Sequence, residues 1–79
     1  MTIFTERLKE QRKKNNLTQK KLADILGVSQ GSYANWENGK REPNFETLLK
    51  IALELNTTTS YLLGESNISF GRGSDKFEK

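Results

Sequence analysis

Residues Gln19–Asn38 read QKKLADILGVSQGSYANWEN, and the pattern within them organises the rest of the chain. Leu22, Ala23 and Leu26 before Gly27, and Val28, Tyr33 and Trp36 after it, recur at spacings that turn them to one side of two short helices. Gly27 suits the left-handed backbone that ends a helix and turns the chain, because it has no Cβ to clash. Ala23, four places earlier, is small enough to let two helices approach closely. Thr18 and Ser29 each precede a predicted helix as N-caps, with hydroxyls that can accept from orphan N–H groups. Leu17 with Leu22, and Val28 with Tyr33, flank those caps at staple spacing. Caps, turn and apolar pattern agree on a helix-turn-helix arrangement.

The outer face of the second helix of the pair carries Gln30, Ser32, Asn35 and Asn38, all neutral hydrogen-bonding residues on short stems. A face that only meets water usually carries Lys and Glu, which are better helix formers and easier to expose. Gln and Asn instead offer the donor–acceptor pair that matches adenine in the major groove. The charge distribution points the same way. Residues 1–41 hold nine Lys/Arg against four Asp/Glu, a balance of +5, whereas residues 42–64 balance at −2 and residues 65–79 at zero. A basic half is the footprint of a surface that meets phosphates. Packing alone is the bland reading of such a hairpin, and solvation that of any single lysine. The amide-rich face and the placement of the charge together favour double-stranded DNA.

Seventy-nine residues suffice for one small domain. The absence of cysteine and histidine removes disulfides, thiolate metal sites and the commonest general base and metal ligand. With no glycine-rich phosphate loop and no clustered carboxylates either, an enzyme is not expected, nor a cofactor or bound metal. No apolar run is long enough to span a bilayer, and MTIFTERLKEQRKK has no signal-peptide core, so the expected location is the cytoplasm.

Working outward, residues 3–15 read as a first helix with Phe4, Leu8 and Arg12 on one face. An arginine on an apolar stripe either snorkels its head into water or meets a specific partner, and Glu37 is the candidate. Helices are expected at Gln19–Leu26 and Gln30–Asn38. A polar turn through Gly39-Lys40-Arg41-Glu42-Pro43 follows, and Asn44 caps a fourth helix, Phe45–Leu55. In that helix Phe45, Leu48, Leu49, Ala52 and Leu55 keep helical spacing. Thr58 caps a short fifth helix through Leu63. The expected division is a compact DNA-binding domain at residues 1–64 and a C-terminal tail at 65–79, flexible or ordered by a partner.

These residues resemble the XRE family of lambda-repressor-like and Cro-like helix-turn-helix proteins. The likeness is carried by Leu8-x-x-x-Arg12, by Leu17-Thr18-Gln19-x-x-Leu22-Ala23-x-x-x-Gly27-Val28-Ser29-Gln30, by Trp36-Glu37-Asn38-Gly39-Lys40-Arg41-x-Pro43, and by Tyr61-Leu62-Leu63-Gly64. It covers residues 4–64 without an insertion. The resemblance implies an all-α, five-helix, lambda-repressor-like domain with its helix-turn-helix at helices 2 and 3. It implies a transcriptional regulator, of phage or prophage repressor type, that binds a pseudo-palindromic operator as a homodimer. Gln30 and Asn35 would read bases, with Ser32 beside them. Gln19, Ser29, Asn38, Lys40 and Arg41 would contact phosphates, the N–H groups around Asn38 and Gly39 helping, and Gln19 could alternatively brace Gln30. Arg12 and Glu37 match a buried structural ion pair of relatives. Gly31 departs from relatives that use a side chain at that position on bases, so no operator sequence can be borrowed. The fifth helix, with Tyr61, Leu62 and Leu63, alone or together with the tail, would supply the two-fold contact, setting half-sites about 34 Å apart. The alternative is the antitoxin of a toxin–antitoxin pair, with a toxin as protein partner; an anti-repressor is another candidate partner.

Overall fold

The computed structural model describes residues 2–68. The tail beyond them, including Phe70 and Phe77 of the expected partner-ordered segment, lies outside the described residues. Five helices follow in order: α1 (Ile3–Lys14), α2 (Gln19–Leu26), α3 (Gln30–Glu37), α4 (Phe45–Glu54) and α5 (Thr59–Leu62). The observed ends of α1, α3, α4 and α5 fall one residue short of the sequence reading, within the fraying of a last turn. Every one of the five opens on a polar cap, Thr2, Thr18, Ser29, Asn44 and Thr58, whose side chain accepts from the N–H three residues on. Thr2 escaped the sequence reading because its reciprocal box uses Thr5, where the usual signature is Glu or Gln.

Gly27 stands at φ +77 and closes α2, its N–H donating to Ala23 and Asp24. Gly64 is needed twice over: its φ is +86, and a Cβ there would come within 3.0 Å of Ile3 Cγ2. Asn16 and Asn56, with φ of 59 and 55, take the same left-handed turn after α1 and α4; asparagine tolerates that region better than other side chains.

The core is built from Leu8 of α1, Leu22, Ala23 and Leu26 of α2, and Tyr33 and Trp36 of α3. Leu48, Ile51, Ala52, Leu55 and Leu62 close it from α4 and α5. Tyr33 and Trp36 meet edge to face at 5.8 Å between ring centroids. Leu17 and Val28, the outer halves of the two staples, pack against this core.

Two expectations are corrected here. Of the residues whose spacing marked the fourth helix, Phe45 and Leu49 do not share the buried face of Leu48 and Ala52: Phe45 is 83% exposed and Leu49 56%. The apolar side chains of α4 cover rather more than half its circumference, with Glu46, Thr47, Lys50 and Glu54 on the remainder, so spacing alone leaves more than one candidate inner face. The face containing Ile51, which the spacing argument passed over, is the one turned inward. The fifth helix is corrected too. Tyr61 and Leu62 are buried, leaving only Leu63 partly exposed, so α5 has little apolar surface for a two-fold contact.

Arg7 ties the end of the domain to its beginning. Its guanidinium lies 4.0 Å from the Tyr61 ring centroid and donates to the backbone oxygens of Tyr61 at 2.7 Å and Ser66 at 2.8 Å. It also reaches Asn67 Oδ1 at 3.2 Å, while the Tyr61 hydroxyl donates to Glu10. These contacts run past Gly64, where the sequence reading drew the domain boundary.

Candidate nucleic-acid interface

α2 and α3 bury the faces that carry their apolar residues and thereby fix what the other face shows. On α3 the outward residues are Gln30, Gly31, Ser32 and, just past its end, Asn38, all exposed; Asn35 is half-buried. Nothing lies within 4 Å of a Cβ built on Gly31, so the gap beside Gln30 is open space. Ser29 Oγ accepts from the Ser32 N–H and donates to Ser32 Oγ, both at 3.1 Å, which ties the two hydroxyls into the start of the helix.

At the other end of α3 most of the backbone donors are already engaged. The Asn38 N–H goes to Ala34 at 3.0 Å, and the N–H groups of Lys40 and Arg41 go to Asn35 O at 3.0 and 3.2 Å. The Lys40 N–H also meets Asn38 Oδ1 at 3.1 Å. The Gly39 N–H has no acceptor among the described residues, so an anion arriving here would meet that N–H together with the Asn38 amide and the exposed Lys40 and Arg41. Lys20 and Lys21 flank the same pair of helices from α2. The exposed contact of Lys20 with Asp24, at 3.6 Å, adds little to stability.

Glu37 is the hub behind this surface. Arg12 Nε donates to its Oε2 at 2.6 Å and Arg12 Nη2 to its Oε1 at 3.4 Å. The Tyr33 hydroxyl donates to Oε2 at 2.5 Å and Gln19 Nε2 to Oε1 at 3.0 Å. Arg12 Nη1 satisfies Leu17 O at 2.8 Å, so the guanidinium is itself well spent. The pair is nearly dry, with the Arg12 side chain 11% exposed and that of Glu37 2%. Burial works to raise the Glu37 pKa, but the donors Arg12, Tyr33 and Gln19, with the charge of Arg12, outweigh it and hold the carboxyl below its ordinary value. The hydrogen bond to Glu37 likewise raises the Arg12 pKa against desolvation. Burial, then the Glu37 carboxylate, push the Tyr33 phenol up. The hub thus joins α1, α2 and α3, and Gln19 hangs from it. The sequence reading gave Gln19 a phosphate or Gln30 as partner. Its bond to Glu37 was missed, because nothing local links residues 18 positions apart.

A family model described as helix-turn-helix matches residues 8–62, most of the chain. The chain belongs to this family, the XRE-type helix-turn-helix proteins. It is 46% identical over 66 residues to the uncharacterized HTH-type transcriptional regulator YqaE of Bacillus subtilis, covering 82% of this chain and 57% of that protein. It is 38% identical over 74 residues to the HTH-type transcriptional regulator ImmR of the same organism, covering 94% of this chain and 58% of that one. Among solved structures it superimposes on the P22 c2 repressor protein in complex with a synthetic operator. The TM-score there is 0.76 at 33% identity, covering 84% of this chain and all of the other. That match shows the lambda-repressor-like fold, with helix-turn-helix at α2 and α3. This chain spans little more than half the length of those two Bacillus regulators. XRE-type proteins are a family of DNA-binding transcription regulators rather than of enzymes, and among the described residues no helix is long and apolar enough to cross a membrane.

Proposed function

We propose that the chain is a sequence-specific DNA-binding transcriptional regulator, a repressor of phage or prophage type, acting in the cytoplasm as a homodimer on a pseudo-palindromic operator. The observation that carries this reading is the outward face of α3: amides and a hydroxyl free of charge, on a helix held rigidly from behind by the Glu37 hub and flanked by exposed cations on both sides. Such a face fits the major groove, with Gln30 and Asn35 as base readers and Ser32 beside them. Gln19, Ser29, Asn38, Lys40 and Arg41 hold the backbone and set the register. Gln19, with one amide hydrogen given to Glu37, keeps a second for a phosphate oxygen. Two copies reading two half-sites multiply an affinity that one small domain with few phosphate contacts could not reach.

Selection of binding sites from random duplex DNA at physiological salt tests the reading. The expected product is a short sequence repeated with dyad symmetry, its half-sites one helical turn, about 34 Å, apart. Recovery of no preferred sequence would overturn it.

A further inference from the structure

We propose that Asn38–Gly39 is a site of intramolecular deamidation, and that the reaction switches off the phosphate contact made by the loop after α3. The site itself stands without reference to DNA, while its consequence rests on the function proposed above. Asn38–Gly39 is the only asparagine–glycine pair in the sequence, and every other asparagine is followed by a residue with a side chain. Such a side chain crowds the nitrogen that must attack; at Gly39 a Cβ would meet only Thr5 Cγ2, at 3.7 Å, and glycine leaves even that space empty. Both residues of the pair are exposed, just past the end of α3. The attacking Gly39 N–H donates to nothing among the described residues. Asn38 Oδ1 accepts from the Lys40 N–H, but the leaving Nδ2 donates to nothing among them either. Asn15 makes the contrast: its Nδ2 is held by Gln11 O at 2.8 Å and Leu55 O at 3.1 Å.

In the reaction the Gly39 nitrogen loses its proton and bonds to Asn38 Cγ. The Cγ–Nδ2 bond then breaks, and the amide leaves with that proton as ammonia. Water opens the resulting succinimide ring at one carbonyl or the other, giving aspartate or isoaspartate at position 38, with no oxidant or reductant needed. The fold sets the rate. Asn38 stands at φ −97 and ψ 3, which turns the Gly39 nitrogen away from Cγ, so the ring closes only after the Cα–C bond of Asn38 rotates. That rotation swings the loop and breaks the Lys40 N–H bonds to Asn35 O and Asn38 Oδ1, and the Arg41 N–H bond to Asn35 O. A few bonds in an exposed loop open far more often than the core does. A duplex held by Asn38, Lys40 and Arg41 pins the loop, so bound protein is spared while free protein ages. Either product sets a carboxylate beside Lys40 and Arg41, where it repels the phosphate. Isoaspartate also adds a methylene to the backbone and shifts both cations relative to α3.

Wild-type protein held at mildly alkaline pH, sampled over days and cut with trypsin, yields the peptide 22–40, whose fragmentation places each conversion of amide to acid. Acid is expected first and fastest at residue 38, as two products separable by chromatography, with Asn35 of the same peptide unchanged. The rate should rise with pH, because the nitrogen must lose its proton. Asn38→Gln, which cannot close a five-membered ring, should gain no acid there. An excess of a duplex taken from the random selection should slow the conversion. The aged fraction, and Asn38→Asp without ageing, should keep the far-ultraviolet spectrum of fresh protein. Both should bind that duplex about tenfold more weakly, with a salt slope smaller by about one unit. Conversion that begins at another asparagine, or runs no faster at residue 38 than at Asn35, would overturn the proposal. So would folded protein with acid at residue 38, aged or substituted, that binds as the fresh wild type does. A duplex that binds yet leaves the rate unchanged would overturn the protection by the pinned loop. A selection that returns no sequence would instead strike the DNA-binding reading, while the site-resolved masses still judge Asn38–Gly39.

Discussion

Glu37 receives three side-chain donors on two oxygens, and the consequences are those of an ion pair that water barely reaches. Removing one partner strands the other. Arg12→Met is expected to lower the stability of the folded chain by about 3 kcal/mol, at the lower end of the range for a broken buried pair, because Tyr33 and Gln19 still serve the carboxylate. Thermal or denaturant unfolding measures this, and an unchanged midpoint would mean that the pair is solvated. The pH dependence has a definite sign. The folded pKa of Glu37 lies below the ordinary value of 4.5, so on acidification the unfolded chain takes up this proton first. Its stabilisation is present above that ordinary value and is lost as the pH falls from there through the folded value. The wild-type melting temperature should therefore drop more steeply between about pH 5 and pH 3 than that of Glu37→Gln, which has no proton to gain. Parallel pH profiles would count against the hub.

The recognition element is α3, and its two classes of side chain should separate by measurement. An amide that reads a base loses about 1–3 kcal/mol on the preferred site when truncated, and preference relaxes at that base pair alone. Gln30→Ala and Asn35→Ala are expected to behave this way. Lys40→Ala should instead weaken binding to preferred and scrambled duplexes alike and reduce the salt slope by about one unit. Gln19 is neutral and shared with Glu37, so Gln19→Ala should weaken binding with little change of slope. Equal losses on both duplexes for Gln30→Ala and Asn35→Ala would mean that α3 does not read sequence. Asn35 is the more demanding case, since its backbone oxygen already accepts from Lys40 and Arg41 and its side chain is half-buried.

At the scale of all the described residues, Arg7 clasps the chain after α5 against α1 through Tyr61, Ser66 and Asn67. A chain ending at Gly64 loses the acceptors at Ser66 and Asn67 and the bond from the Glu65 N–H to Ser60 O. It should unfold about 1–3 kcal/mol more easily than a chain ending at Ile68, the sum expected for a few partly exposed hydrogen bonds. Calorimetry on the two lengths decides, and equal midpoints would mean that the clasp adds nothing to the stability of the fold. The same clasp holds Tyr61 down on α1, which is why the fifth helix has so little apolar surface to offer a second copy.

What the sequence alone determined is what neighbours along the chain decide. Thr18, Ser29, Asn44 and Thr58 start their helices, Gly27 turns one into the next, and Gln30, Ser32 and Asn38 face outward, because each of these choices is made within a turn or two of helix. The tertiary structure decided the matters that depend on distant partners. α4 is apolar on several sides, so only packing against α2 and α5 chose Ile51 over Phe45 and Leu49. Gln19 met Glu37, and Arg7 met Tyr61 and Ser66, across separations at which no periodicity operates. Local rules can place each of these residues on or beside its helix, but they cannot bring the helices side by side.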